Sequence, residues 1–393
     1  TGTRGWRMPL PMKTTRRFNR SASASLTNQS HPRHAMPLVY PYNFAPFSSK
    51  PPSKSKPPSH DVRSGHSGTL SCKLEVLTPL LIKDENAEGG NGDSPNSPYR
   101  PMEHNFKAIV PGTSLKGMVR SVFEVLANSC VGLSSDGARL IPNSHEKCNH
   151  KDALCPACQV FGFVGGNNGN VHKGLINIGQ ATMENRVQRA GPYHLPALYG
   201  ANITLPDGNA INARYYGTER NPNGRKFYLH HRAFEDDKFP HAQQRRDHVQ
   251  PLGEGSLLRF DVQYENLRQE HLDALVAALT LSDTAQMRHG TVKVRHKLGY
   301  GKPAGLGSVA ISIEKAALQP SAKEQYCSFG QQANKLSGSA LNDWVREKQD
   351  AFFSDPTDPV KALSEVLAYP PPEDREVAYA ADPPIPPQLR LRK

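Results

Sequence analysis

Leu258-Arg259-Phe260-Asp261-Val262-Gln263-Tyr264 alternates apolar and polar side chains without a break. That is the period of a strand with one face buried and one face wet. A few residues on, Leu272, Leu275, Val276 and Leu279 recur at helical spacing. After a glycine-rich run, Val309, Ile311 and Ile313 alternate again as a strand. Residues 258–313 therefore read as strand, helix, strand.

Working outward, the same unit recurs toward the N-terminus. Leu70, Cys72, Leu74 and Val76 alternate with Ser71, Lys73 and Glu75. A helix is predicted from Thr113 or Ser114, either of which can cap it, with Leu115, Val119, Val122, Phe123 and Leu126 on one face. The stretch between the two units is irregular or strand-bearing. Strand, helix, middle, strand, helix, strand is the pattern of an α+β, ferredoxin-like core built from a split βαβ repeat with a large insertion. On this reading the core spans residues 63–318, with a cysteine-rich segment at about 130–165 and an inserted region at about 180–255. Residues 1–62 form an extended arm that only a partner would order. Ten Lys or Arg and no acid occupy its first 60 positions. Residues 319–393 form an extension with helices near Ala340–Phe352 and Val360–Leu367 and a proline-rich end.

The chain has 393 residues, 37% of them hydrophobic, with 34 Pro and 31 Gly, so a sizeable core must coexist with long loops. A net charge of +12 favours a polyanionic partner, and phosphate backbones are the commonest one. No run approaches the apolar length of a membrane span. The basic first residues lack the apolar stretch of a secretory signal. The expectation is a cytoplasmic, reduced protein without a membrane partner, whose crowded cysteines serve a metal rather than disulfides.

Five motifs carry chemistry. In Val110-Pro111-Gly112-Thr113-Ser114-Leu115-Lys116-Gly117, a turn feeds a helix whose first amides attract anions, with Lys116 and Arg120 beside them. Leu298-Gly299-Tyr300-Gly301-Lys302-Pro303-Ala304-Gly305-Leu306-Gly307-Ser308 precedes a strand. It is neither a Walker loop nor a dinucleotide fingerprint, and its glycines would let backbone approach a ligand. His145-Glu146-Lys147-Cys148 through Cys155-Pro156-Ala157-Cys158 has the spacing of a zinc knuckle. Cys148, Cys155 and Cys158 supply three thiolates, and His145, His150 or Cys130 the fourth position. A site closed by four protein ligands is structural. Gly224-Arg225-Lys226-Phe227-Tyr228-Leu229-His230-His231 alternates cations with aromatics, suited to phosphates and bases. Asp84, Glu85, Glu88 and Asp93 make an acidic loop after the first strand, able to hold a metal ion or position a ribose hydroxyl.

In this order the motifs resemble the RAMP superfamily of CRISPR-associated proteins, most closely the backbone subunits of type III effectors. Pro111 to Gly117 with Arg120, Cys155 to Gly162, Gly224 to His230 and Gly299 to Gly307 carry the resemblance, over about residues 68–315. It implies an RRM-like core whose copies stack along a guide RNA (crRNA) with other effector subunits, in antiviral defence. It implies a thumb within residues 180–255, and a guide gripped by Thr113, Ser114, Lys116, Arg120, Arg225, Lys226, Tyr228, His230, Gly299, Gly301, Lys302 and Gly305. It also implies cleavage of the paired target RNA by a loop aspartate, Asp93 or else Asp84, with Mg. Two alternatives stand beside this: a scaffold that leaves cleavage to a separate nuclease, and a stand-alone guide-processing endoribonuclease using His230, His231 or His289 as general base.

Overall fold

The computed structural model describes residues 41–84, 96–131, 141–166, 169–184, 188–196, 217–218, 221–231, 246–287, 290–327 and 332–371. In chain order the elements that position the site are β1 (Tyr42–Ala45), β2 (His66–Val76), β3 (Lys107–Val110), α1 (Gly112–Leu126), α2 (Pro156–Phe161), β4 (Ile176–Ile178) and β5 (Ala181–Met183). They continue with β6 (Arg225–Tyr228), β7 (Leu257–Leu267), α3 (Gln269–Thr280), β8 (His296–Lys297), β9 (Ser308–Leu318), α4 (Gly338–Phe353) and α5 (Asp358–Val366).

The main sheet runs β8-β9-β2-β7-β5-β3, every neighbouring pair antiparallel, with β4 also on β7. Counting β4 and β5 as one interrupted strand, the four core strands lie in the order fourth, first, third, second. That is the order of two interleaved βαβ units, so the expected ferredoxin-like core is present. Cys72 sits at its centre, opposite Phe260 on one side and Ile313 on the other. The alternation legible in β2 and β7 sends Leu70, Cys72, Leu74, Leu258, Phe260 and Val262 inward to one apolar cluster.

α1 and α3 cover that face. α1 starts at Gly112, not at Thr113 or Ser114, and its cap is Pro111, which offers no side-chain hydrogen bond. Proline fixes an extended backbone there, and the amides of Ser114 and Leu115 bond the Pro111 carbonyl. Gly112 is needed because a Cβ at that position would lie 2.1 Å from the Ile178 carbonyl oxygen. α3 is buried almost all round because α4 packs on its far side. Leu341 and Phe353 of α4 and Val360, Leu363 and Val366 of α5 belong to the same apolar cluster as the sheet.

The arm was expected to be ordered only by a partner. Residues 1–40 lie outside the described residues, but residues 41–62 are tied down by the chain itself. β1 pairs with β6. Ser55 and Leu154 exchange backbone hydrogen bonds of 3.0 and 2.9 Å. Asn128 Nδ2 donates to the Lys50 carbonyl at 2.9 Å, and Arg268 donates to Ser55 Oγ and the Lys56 carbonyl. Backbone groups that would otherwise be left unpaired against the core find partners this way.

The opposite face of the sheet is open. It presents Thr69, Ser71, Lys73 and Glu75 from β2, Arg259, Asp261, Gln263 and Glu265 from β7, and Ser312, Glu314 and Lys315 from β9. Arg259 pairs with Glu314 and Glu184. Acids outnumber cations in this set, and none of these side chains is aromatic. Base stacking on the sheet surface, the mode of RRM domains, needs aromatic faces. These strands do not supply them.

Candidate metal centre and nucleic-acid interface

Cys148, Cys155 and Cys158 converge as their spacing predicts. The fourth position is taken by Cys130, one of the three candidates, from just beyond the C-terminus of α1. All four are buried, and their sulfurs lie within 4.8 Å of one another. The Cys130 sulfur is 3.5 Å from those of Cys155 and Cys158 and 3.9 Å from that of Cys148. Four thiolates at about 2.3 Å from a tetrahedral zinc stand about 3.8 Å apart, so the cluster fits such an ion. Backbone amides support the thiolates: Cys130 N–H points at Cys155 Sγ (3.5 Å) and Cys155 N–H at Cys148 Sγ (3.3 Å). His145, another candidate for the fourth place, is not in the cluster. Its ring nitrogens meet Ser144 Oγ at 2.9 Å and Asn128 Oδ1 at 3.0 Å, and burial pulls its pKa down to about 4. His150 is exposed and faces Asp152.

Two arginines expected at RNA stand beside this cluster instead. Glu124 of α1 accepts from Arg120 Nε at 2.9 Å and from Arg225 Nη1 at 2.7 Å. Arg225 also donates to the Ser129 carbonyl, and Arg120 approaches Cys158 Sγ at 3.8 Å. Arg225 leaves only 11% of its side chain exposed. A guanidinium spent on a buried carboxylate and a carbonyl is not free for phosphate. Its place beside four thiolates answers their negative charge and fixes the start of β6 against α1.

The glycine-rich loop also faces inward. Gly301 and Gly305 are buried. The Gly301 carbonyl accepts from Ala304 and Leu306 amides, and the Gly305 carbonyl from Thr78 Oγ1 and Lys297 Nζ. Gly299, Gly301, Gly305 and Gly307 all have positive φ, between 69° and 97°. A Cβ on Gly299 would meet the Leu81 carbonyl oxygen at 2.3 Å. The glycines permit tight packing against the chain itself. His230 and His231 are buried as well. His230 Nδ1 meets Ser308 Oγ at 2.8 Å and its Nε2 the Arg295 carbonyl at 3.0 Å, while His231 Nε2 meets the Pro303 carbonyl at 2.7 Å. Both rings are thus turned into the chain, and His289 lies outside the described residues.

A belt of lysines and tyrosines, half-buried except for the exposed Lys226, is made of two groups joined by the loop from Tyr300 to Lys302. On the β1/β6 ribbon, Lys226 Nζ lies 3.8 Å from the Tyr42 ring centre and 5.1 Å from that of Tyr228. Lys302 Nζ lies 5.6 Å from the Tyr228 ring. Two residues before it, Tyr300 shares Lys83 with Tyr99, at 4.4 and 3.5 Å from the amine. Desolvation, aided by the charge of Lys302, pulls the Lys226 pKa down to about 8. Lys302 is lowered by desolvation alone. Two neighbouring ammonium groups attract an incoming anion more strongly than one does. Of the expected set, Lys226, Tyr228 and Lys302 belong to this belt, and Gly299 supports Tyr300. Tyr42, Lys83, Tyr99 and Tyr300 join it without having been singled out. Alternation of aromatic and basic types was the signal, but their partners are distant in sequence.

Thr113 is exposed on the first turn of α1, with Ser114 and Lys116 half-buried. Lys116 is lowered by desolvation and by Arg120. Gly117 is exposed, and a Cβ there would meet nothing within 4 Å. Asp84 is half-buried directly after Lys83, while Glu85, Glu88 and Asp93 lie outside the described residues. No helix among the described residues is long and apolar enough to cross a membrane.

A model of the RAMP superfamily matches residues 73–310, more than half of the chain. No curated protein matches the sequence.

Proposed function

The chain belongs to the RAMP superfamily, and from this premise we propose that it is an RNA-binding backbone subunit of a type III-like CRISPR effector, holding guide RNA by its sugar–phosphate chain. The observation that carries the reading is the belt of Lys226, Lys302 and Lys83 among Tyr42, Tyr228, Tyr99 and Tyr300. Cations set among aromatic faces suit a flexible single strand without selecting its sequence. A strand held by its phosphates keeps its base edges free to pair with a complementary target RNA. The partners on this reading are guide, target, other effector subunits and further copies of the chain. Zinc held by Cys130, Cys148, Cys155 and Cys158 would have no open position, so its role is to lock the knuckle. Cleavage is not part of the proposal. Of the two candidate aspartates only Asp84 is among the described residues, and no group of three metal-ligating side chains there includes it.

The test is the salt dependence of binding to a labelled single-stranded RNA. Each phosphate contact contributes about −0.7 to the log–log slope. Replacing Lys226→Met and Lys302→Met together keeps the aliphatic stems and removes two charges. The variant should bind more weakly, with a slope shallower by about 1.4. An unchanged slope and affinity would remove the belt from the interface.

A further inference from the structure

A hairpin joins Glu103–His104 to β3, pairing Glu103 with Ala108 and His104 with Lys107. Its two-residue turn is Asn105-Phe106, with φ of 49° and 61°. Such a turn puts both residues in the left-handed region, where Asn is well tolerated and Gly is the usual second residue. A bulky aromatic there is an outlier. Phe106 is also 97% exposed, so the turn carries a strained backbone and a fully hydrated ring at one position. Among the described residues no packing compensates either cost.

The surroundings indicate what the ring meets. His104 and Lys107 flank it, both exposed, and the nearest acid, Glu103, is engaged by Arg189. The base of the hairpin is continuous with the lysine–tyrosine belt: Pro101 bridges to Lys83, and the Met102 amide bonds the Ile82 carbonyl at 3.0 Å. From Pro101 to His104, where the turn begins, the chain spans about 10 Å at about 3.3 Å per residue. The tip therefore lies a short reach from Lys83 and Tyr99.

We propose that Phe106 is a stacking residue, its ring lying on one base of a single RNA strand that leaves the belt at Lys83. This rests on the RNA-binding reading above and adds a fixed point along the strand. His104 and Lys107 would meet the phosphates on either side.

Phe106→Gly puts the preferred residue in the turn, so the fold should keep or gain thermal stability. Affinity for single-stranded RNA should nevertheless fall by about five- to one-hundred-fold, the range for losing one stacked base. Phe106→Trp should retain it. An RNA carrying one 2-aminopurine, moved along the strand, should show quenched fluorescence at a single position in the wild type and none there in Phe106→Gly. Equal affinity and equal quenching in the two proteins, with wild-type binding still steeply salt-dependent, would overturn the stacking role and leave the belt standing. Equal RNA binding combined with lost self-association by analytical ultracentrifugation would overturn it in favour of docking onto a second copy. A wild type that binds no RNA would remove the RNA-binding reading itself.

Discussion

At the scale of single residues, the decisive one is Cys130. Its sulfur stands 3.5 Å from two of the three knuckle cysteines, while the His145 ring is committed to Ser144 and Asn128. Cys130→Ser should therefore lower the zinc content of the purified protein and cost several kcal/mol of stability. His145→Gln should keep the metal and cost about 1 kcal/mol for the altered hydrogen bonds. Metal analysis and thermal melting of both variants check this, and zinc lost from His145→Gln but kept by Cys130→Ser would reverse the assignment. The x2 spacing of Cys155 and Cys158 was plain in the sequence. Cys130 is brought in by tertiary packing, where Ser129 Oγ accepts from the Ala157 amide and seats the end of α1 against α2. Spacing along the chain carries no record of that. Arg225 misled for a related reason, since a basic residue among aromatics looks the same whether it faces a phosphate or Glu124.

At the scale of elements, the loop over residues 298–308 shows how far composition reaches. Four glycines announced unusual backbone, and all four have positive φ. Composition did not say that the close approach is to the chain itself. A Cβ on Gly307 would stand 1.8 Å from the Leu298 carbonyl oxygen. Gly307→Ala should destabilise the protein by about 2–4 kcal/mol, through strain at positive φ and the backbone clash. Urea denaturation measures it, and a change within about 0.5 kcal/mol would mean the loop is loose enough to face a ligand after all. β2, β7 and β9 were legible because one face of each is buried and the other wet, which writes a period of two into the sequence. The remaining core strand was not, because it is broken into Ile176–Ile178 and Ala181–Met183 around Gly179. Each piece is too short to show a period. The buried circumference of α3 hid its true neighbour, since the sequence marked one apolar side and α4 supplies the cover for the rest.

At the scale of the whole molecule, stability should depend on acid through His296. The ring is fully buried, with Nε2 on the Leu279 carbonyl at 3.0 Å, and burial pulls its pKa down to about 4. The unfolded chain takes up the proton below about 6.5. Stability is therefore complete above that pH and is lost as pH falls toward 4, by about 3 kcal/mol. His296→Gln should flatten this part of the profile when denaturation midpoints at pH 7 and 4.5 are compared with wild type. Parallel profiles would show that other groups govern the acid limb. The strand order has a consequence for how the chain is made. β2 leaves the ribosome well before its two flanking strands, which begin at residues 257 and 308. Both of its edges stay open until those strands emerge. Such long-range pairing is slow, and unpaired edges invite aggregation. A nascent chain halted before residue 257 has no partner for either edge of β2, and its apolar strand becomes a substrate for chaperones.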